Sequence, residues 1–221
     1  GLIGLMAVQI LKSHGCQVVG VEPDPARATL ALHMGAKDVV NPADSAGRNR
    51  IANHESYQNL DSVFIFASSS NNTIIALAAD MLKPGGWLVV PGSVPLDLPR
   101  EKLYASELRF IVPQSAGWDI PENANRPPGA PDQTVGANMS TFLELVSRGE
   151  ITVEPLITDQ LHINDAIEAY SKLTSGSESI GILLDYSGDK STSRSTRFRE
   201  PTATPSTTPS LRIGLVGSGQ W

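Results

Sequence analysis

The feature that most constrains this chain is an alternation. From Gly1 to about Tyr186, short apolar runs alternate with stretches whose apolar residues recur at helical spacing. Ile3, Met6, Ala7, Ile10 and Leu11 stand at i, i+3, i+4, i+7 and i+8, one face of a helix. Lys12 and His14 fall in its last turn and Gly15 stops it. Gln17–Glu22 then carries Val18, Val19 and Val21, a near-continuous apolar run suited to a strand covered on both faces. Asp24-Pro25 starts a second helix, Asp as cap and Pro in its first turn, which ends at Gly35. Further strands are expected at Asp38–Val40, Val63–Phe66, Trp87–Val90 and Leu108–Val112. A helix on Ile74, Leu77, Ala78, Met81 and Leu82 ends at Lys83-Pro84-Gly85-Gly86, and the polar residues 44–56 read as helix or loop. Strand and helix in regular turn imply crossover units on a parallel sheet. The fold class is α/β, a Rossmann doubly wound sheet.

The rhythm breaks between Pro113 and Gly136, where Pro121, Pro127, Pro128 and Pro131 interrupt any period and a long loop is expected. Met139, Phe142, Leu143 and Val146 mark a helix closed by Arg148-Gly149. Asn164 is read as the cap of another, carrying Ala166, Ile167, Tyr170 and Leu173, and Ser179–Asp185 as a final strand. In residues 187–210, 15 of 24 are Ser, Thr or Pro, too little apolar surface to offset ordering entropy, so a flexible linker is expected. Leu211–Gly219 is an apolar run leading into Gly-x-Gly. The expected divisions are the α/β unit at 1–148, a further segment at 149–186, the linker at 187–210 and a new apolar run at 211–221.

Composition narrows the function. With 40% apolar and 18% charged residues among 221, the chain supports a folded core. A net charge of −6 without a clustered basic face argues against a nucleic-acid partner. No stretch approaches the roughly 20 apolar residues of a membrane span, and no signal-peptide pattern opens the chain, so the cytoplasm is expected. Cys16 is the lone cysteine and reads as a small buried hydrophobe. His14, His33, His54 and His162 are scattered, with no metal-ligand spacing around them and no role as catalytic base.

The chemistry is expected at the start of the first helix. Gly1-Leu2-Ile3-Gly4 matches the second half of a G-x-G-x-x-G phosphate-binding turn. In that reading Gly1 lets the backbone approach a pyrophosphate, and Gly4 lets the helix pack closely on a strand. The free amides of the first turn hold the phosphate charge. The fingerprint expects an acid about 20 residues on, at a strand end, to accept from the adenosine ribose. Glu22 stands there, 18 positions after Gly4. Its carboxylate repels a 2′-phosphate and favours NAD over NADP, while nearby Arg27 weakens that preference. Parallel sheets bind ligands at the carboxyl ends of their strands, which nominates Ala67, Ser68, Gly92 and Ser93. No catalytic acid or base is nominated.

These residues carry a resemblance. "VVGVEPDPAR" and "HMGA" within Gly1–Ala36, then "LKPGGWLVVPG" and "VEPLITDQLHINDAIEAY", make the chain similar to the cofactor domain of the medium-chain, alcohol-dehydrogenase-like dehydrogenases/reductases. "LDLPREKLYASELRF" and "ASSSNN" resemble a two-module subtype, whose second, glucose–fructose oxidoreductase/inositol dehydrogenase-like half "LRIGLVGSGQW" would open. The resemblance implies hydride transfer between nicotinamide C4 and a small or sugar-linked alcohol or carbonyl compound. It gives Gly1, Ile3, Gly4, Glu22 and Arg27 cofactor roles, with Leu2 inside the same turn. Where the family often carries Arg near the C-terminal strand, "SESIGILL" has Gly181, and loop 113–136 departs from the subtype. Zinc, where used, is implied to be held by an N-terminal catalytic domain, and a homo-oligomer is a candidate assembly. The reading expects a first strand and first glycine ahead of residue 1, so that the chain alone is insoluble or molten. In its alternative, Arg212–Val216 fills the vacant strand position. Two rival functions remain open: a non-catalytic dinucleotide sensor, and a nucleotide or S-adenosylmethionine binder on a similar sheet.

Overall fold

The computed structural model describes residues 1–113, 134–175 and 178–187. Its helices begin and end where local chemistry dictates. Helix α1 spans Leu2–Ser13, and Gly15 beyond it takes the left-handed φ of 80°. Helix α2 spans Pro25–Met34; Asp24 accepts the Arg27 N–H at 2.9 Å and Gly35 closes it at φ 111°. Asp44 caps α3 (Ser45–Asn53) by accepting from the Gly47 N–H, which resolves the polar segment as helix. Helix α4 spans Thr73–Met81 and α5 Arg100–Ser106, the latter unforeseen in the sequence. Thr134 caps α6 (Val135–Ser147), accepting the Ala137 N–H at 3.2 Å. Helix α7 spans Ala166–Thr174. Asn164 is not its cap: a 3-10 turn at Ile163–Asp165 intervenes, and His162 Nδ1 accepts the Asn164 N–H.

The strands are β1 (Val19–Val21), β2 (Asp38–Val40), β3 (Leu60–Phe64), β4 (Leu82–Val89), β5 (Arg109–Ile111), β6 (Ile157–His162) and β7 (Gly181–Asp185). Strand β1 pairs with β2, β4 lies between β3 and β5, and β6 pairs with β7, every ladder parallel. The α/β reading with parallel sheets stands. Two details differ from it. Strand β6 was not foreseen, and Lys83–Gly86 is no separate loop but part of β4. Leu60 faces Leu82 while Ser62 faces Trp87, so β4 bulges there and the turn residues are absorbed into the ladder. Among the described residues no ladder joins β1 to β3. Residues 114–133 of the expected long loop, nearly all of the linker, and Arg212–Val216 lie outside the described residues.

Three buried clusters hold the elements together. Ile65, Ile75, Leu88 and Val90 join α4 to the β3–β5 sheet. Leu5, Ala31, Met34 and Leu156 join α1, α2 and the segment before β6. Val40, Ile51, Tyr57 and Met81 join β2 and α3 to α4. On α6 the inward stripe is Phe142, Leu145 and Val146, while Met139 and Leu143 face outward. The stripe expected on α7 is also exposed, at Ile167, Tyr170 and Leu173. Cys16 is exposed as well, which corrects the expectation of a buried thiol; it follows the Gly15 turn, where the chain has left the helix.

Gln9 ties the later segment to α1. It is 5% exposed; its Nε2 donates to the Thr152 carbonyl at 3.1 Å and its Oε1 accepts the Thr152 N–H at 2.8 Å. Gln9→Leu leaves both Thr152 groups without these partners and is expected to cost about 1–3 kcal/mol. A urea titration reads this as a lower midpoint at unchanged slope.

Asp159 links β6 to its surroundings. Its carboxylate accepts from Lys172 Nζ at 2.8 Å, Ser179 Oγ at 2.8 Å and Thr158 Oγ1 at 3.0 Å. The Lys172 bond first, then the two hydroxyls, lower its pKa to about 2. A carboxyl depressed on folding contributes stability above its unfolded pKa and loses it as pH falls through the folded value. The thermal midpoint is therefore expected to drop between about pH 4 and pH 2, and Asp159→Asn is expected to lose that part of the slope in scans at stepped pH.

Candidate functional site

The site begins with the unpaired amides of α1. The first bond of this helix runs from the Leu5 N–H to the Gly1 carbonyl at 3.0 Å, so the N–H groups ahead of Leu5 have no partner within the helix. A Cβ built on Gly1 meets nothing within 4 Å. On Gly4 a Cβ meets Phe66 at 3.6 Å, an ordinary contact. Phe66 therefore does not require a glycine there. Ile3 in the same turn is 63% exposed. Leu2 packs its side chain against the cluster around Leu5 and Leu156, which leaves its N–H as its contribution to the turn.

Glu22 follows β1 directly. Its N–H continues the ladder by donating to the Val40 carbonyl, and its Oε1 accepts the Asp24 N–H at 3.1 Å. Its Oε2 lies 3.7 Å from the Gly1 nitrogen. The two residues nominated from the sequence, 21 positions apart, thus face each other at one edge. Arg27 sits in the first turn of α2, where its N–H holds the Asp24 carboxyl below the usual carboxylate range.

The second nominated group follows Phe66 in the chain. Ser68 and Ser93 form a parallel bridge, the Ser69 N–H donates to the Ser93 carbonyl at 2.9 Å, and the Gly92 N–H donates to the Ile65 carbonyl at 2.8 Å. A Cβ on Gly92 would stand 2.2 Å from the Ala67 carbonyl oxygen, so glycine is required there. Ala67, Ser68, Gly92 and Ser93 are thereby brought together beyond the ends of β3 and β4. Phe66, which sequence reasoning passed over, connects the two groups: it touches the Gly4 position and stacks on Phe64 with ring centroids 6.1 Å apart. Its signal was position alone, an aromatic at the end of an apolar strand.

A groove of about 600 Å³ lies elsewhere, lined by Gln9, Lys12, Ser13, His33 and Glu150 among others. It sits at the far end of α1, away from the nominated residues, and holds none of them. Among the described residues, no three His, Cys, Asp or Glu side chains converge in a way that could hold a metal ion. Nor is any described helix long and apolar enough to cross a membrane.

A family model described as zinc-binding dehydrogenase matches residues 3–115, half of the chain. The chain belongs to this family. Solved structures share the fold of this zinc-binding dehydrogenase chain. Alcohol dehydrogenase TADH from Thermus sp. ATN1 is 20% identical with a TM-score of 0.62, over 83% of this chain and 49% of its own. A short chain alcohol dehydrogenase from Escherichia coli CFT073, complexed with NADH, is 19% identical with a TM-score of 0.65, over 84% and 50%. The mycobacterial protein Rv1454c, complexed with NADPH, is 18% identical with a TM-score of 0.59, over 83% and 53%. The chain thus spans about half the length of these structures. Among the described residues, no side-chain cluster fits the zinc of the family's name.

The two glycines of the site separate in a direct test. Gly92→Ala forces a methyl group onto backbone and is expected to cost about 1–3 kcal/mol. Gly4→Ala, inside α1, is expected to be neutral or to gain roughly 0.5–1 kcal/mol. Urea midpoints of the two variants check the contrast.

Proposed function

We propose that this chain binds a nicotinamide dinucleotide along the carboxyl edge of its parallel strands, as the cofactor-binding part of an oxidoreductase. The observation that carries the reading is the meeting, beyond the carboxyl ends of the strands, of the first-turn amides of α1, Glu22 directly after β1, and Ser68 and Ser93 after β3 and β4. A pyrophosphate fits the amides of the first α1 turn, where the helix dipole and unpaired N–H groups favour an anion. The adjoining ribose fits Glu22, whose carboxylate accepts hydroxyl protons. Asp24 fixes one oxygen of that carboxylate through its N–H, so the acid is oriented before any ligand arrives.

The cofactor, when bound, supplies hydride chemistry at its nicotinamide C4; the substrate is an alcohol or carbonyl compound, sugar-linked by the subtype resemblance. This chain binds and orients the dinucleotide. Two fold neighbours are complexed with NADH and NADPH, which supports a nicotinamide cofactor without choosing between them. The choice of NAD rests on Glu22, whose charge opposes a 2′-phosphate. Zinc, where the whole enzyme uses it, would need ligands other than the described residues.

Titration of nicotinamide fluorescence tests this. NADH is expected to bind more tightly than NADPH. Glu22→Gln is expected to weaken NADH about tenfold, or 1.4 kcal/mol, and to narrow the gap. Tighter binding of NADPH to the unaltered protein would overturn the role given to Glu22.

A further inference from the structure

Beyond the residues that touch the proposed ligand, one side chain ties the second half of the edge together. Asn72 precedes α4, and its Nδ2 donates to the Asp97 carbonyl at 3.1 Å and to Asp97 Oδ2 at 3.3 Å, across 25 residues. This joins the segment after β3 to the segment after β4. The same two segments meet at the Ser68–Ser93 bridge and at the close approach of Gly92 to Ala67. Asn72 itself does not cap α4 through its side chain; Asn71 Oδ1 accepts the Thr73 N–H instead. The Oδ1 of Asn72 is buried and has no partner among the described residues. A buried carbonyl without a partner costs at least as much as one hydrogen bond contributes. The amide's net worth to the fold is therefore small, and stability alone does not account for an asparagine at this position.

Geometry says which part of the ligand this matters to. Glu22 lies beside Gly1, Phe66 lies against Gly4 one turn on, and Ala67 and Ser68 follow Phe66 in the chain. A dinucleotide whose adenosine ribose meets Glu22 and whose pyrophosphate meets α1 extends its remaining half toward Ser68 and Ser93. We propose that Asn72 is a positioning residue that latches the Ala67–Asn72 and Gly92–Asp97 segments and thereby sets the fit of the nicotinamide riboside half. The inference rests on the binding reading above.

The test compares NADH with ADP, which carries the adenosine and pyrophosphate but lacks the nicotinamide riboside. In calorimetric titrations Asn72→Ala is expected to raise the NADH Kd about tenfold while the ADP Kd stays within about twofold, at an unchanged thermal midpoint. Asp97→Ala, which keeps the carbonyl acceptor, is expected to do less. Asn72→Leu preserves side-chain volume and serves as the second variant should the alanine disturb folding. Equal weakening of both ligands, or of neither, overturns the latch while leaving the binding reading intact. Failure of the unaltered protein to bind both ligands overturns the binding reading, and the latch with it.

Discussion

The geometry of the site depends on where helix α1 starts. Its first turn is flanked by the Glu22 carboxylate near Gly1 and by the Phe66 ring against Gly4. Each flank is set by a parallel ladder: Glu22 by the bond to Val40 that extends β1 along β2, and Phe66 by the β3–β4 pairing that continues to Ile65. Parallel strands send all their carboxyl ends to one edge. A helix that begins at that edge therefore delivers its unpaired amides to the same place as the residues that follow each strand. The neighbourhood is a product of topology before any side chain is chosen.

Within that neighbourhood the chemistry is divided. Charge sits at the Glu22 end, where Asp24 and Arg27 also cluster around the start of α2. The Ser68–Ser93 contact is built from backbone, and the Asp97 carboxylate at this end is engaged by Asn72. An anionic pyrophosphate would meet a helix start whose partial charge is positive.

Much of this was legible in the sequence, because the signals were local. Asp24-Pro25 and Gly35 bounded α2 as read, and Asp38–Val40 emerged as the strand expected, since caps and branched apolar runs act within a few residues. Gly1 and Glu22 could be paired because the fingerprint encodes their separation along the chain. What escaped was non-local. Strand β6 alternates too weakly to be read and exists through its register with β7. Helix α5 begins after Pro99 with a charged turn and buries no residue fully, so its periodicity carried no signal. The role of Asn72 depends on Asp97, and no local pattern announces a contact across that distance. The exposed stripe of α7 carries the opposite lesson: helical spacing of apolar residues is visible in sequence, but the surface they face is not.

The bulge in β4 has a consequence for how this edge is kept in order. Leu60 meets Leu82, the next four residues of β4 are taken up in the bulge, and alignment resumes at Ser62 with Trp87. The irregularity lies at the entry end of the ladder. By the time β3 and β4 reach Phe64 and Val89 they march in step, and the segments beyond them meet residue for residue at Ser68 and Ser93. Slack in chain length between α4 and its following strand is thus taken up far from the ligand edge, as a hem takes up cloth. Alignment at the binding end is insulated from drift at the other.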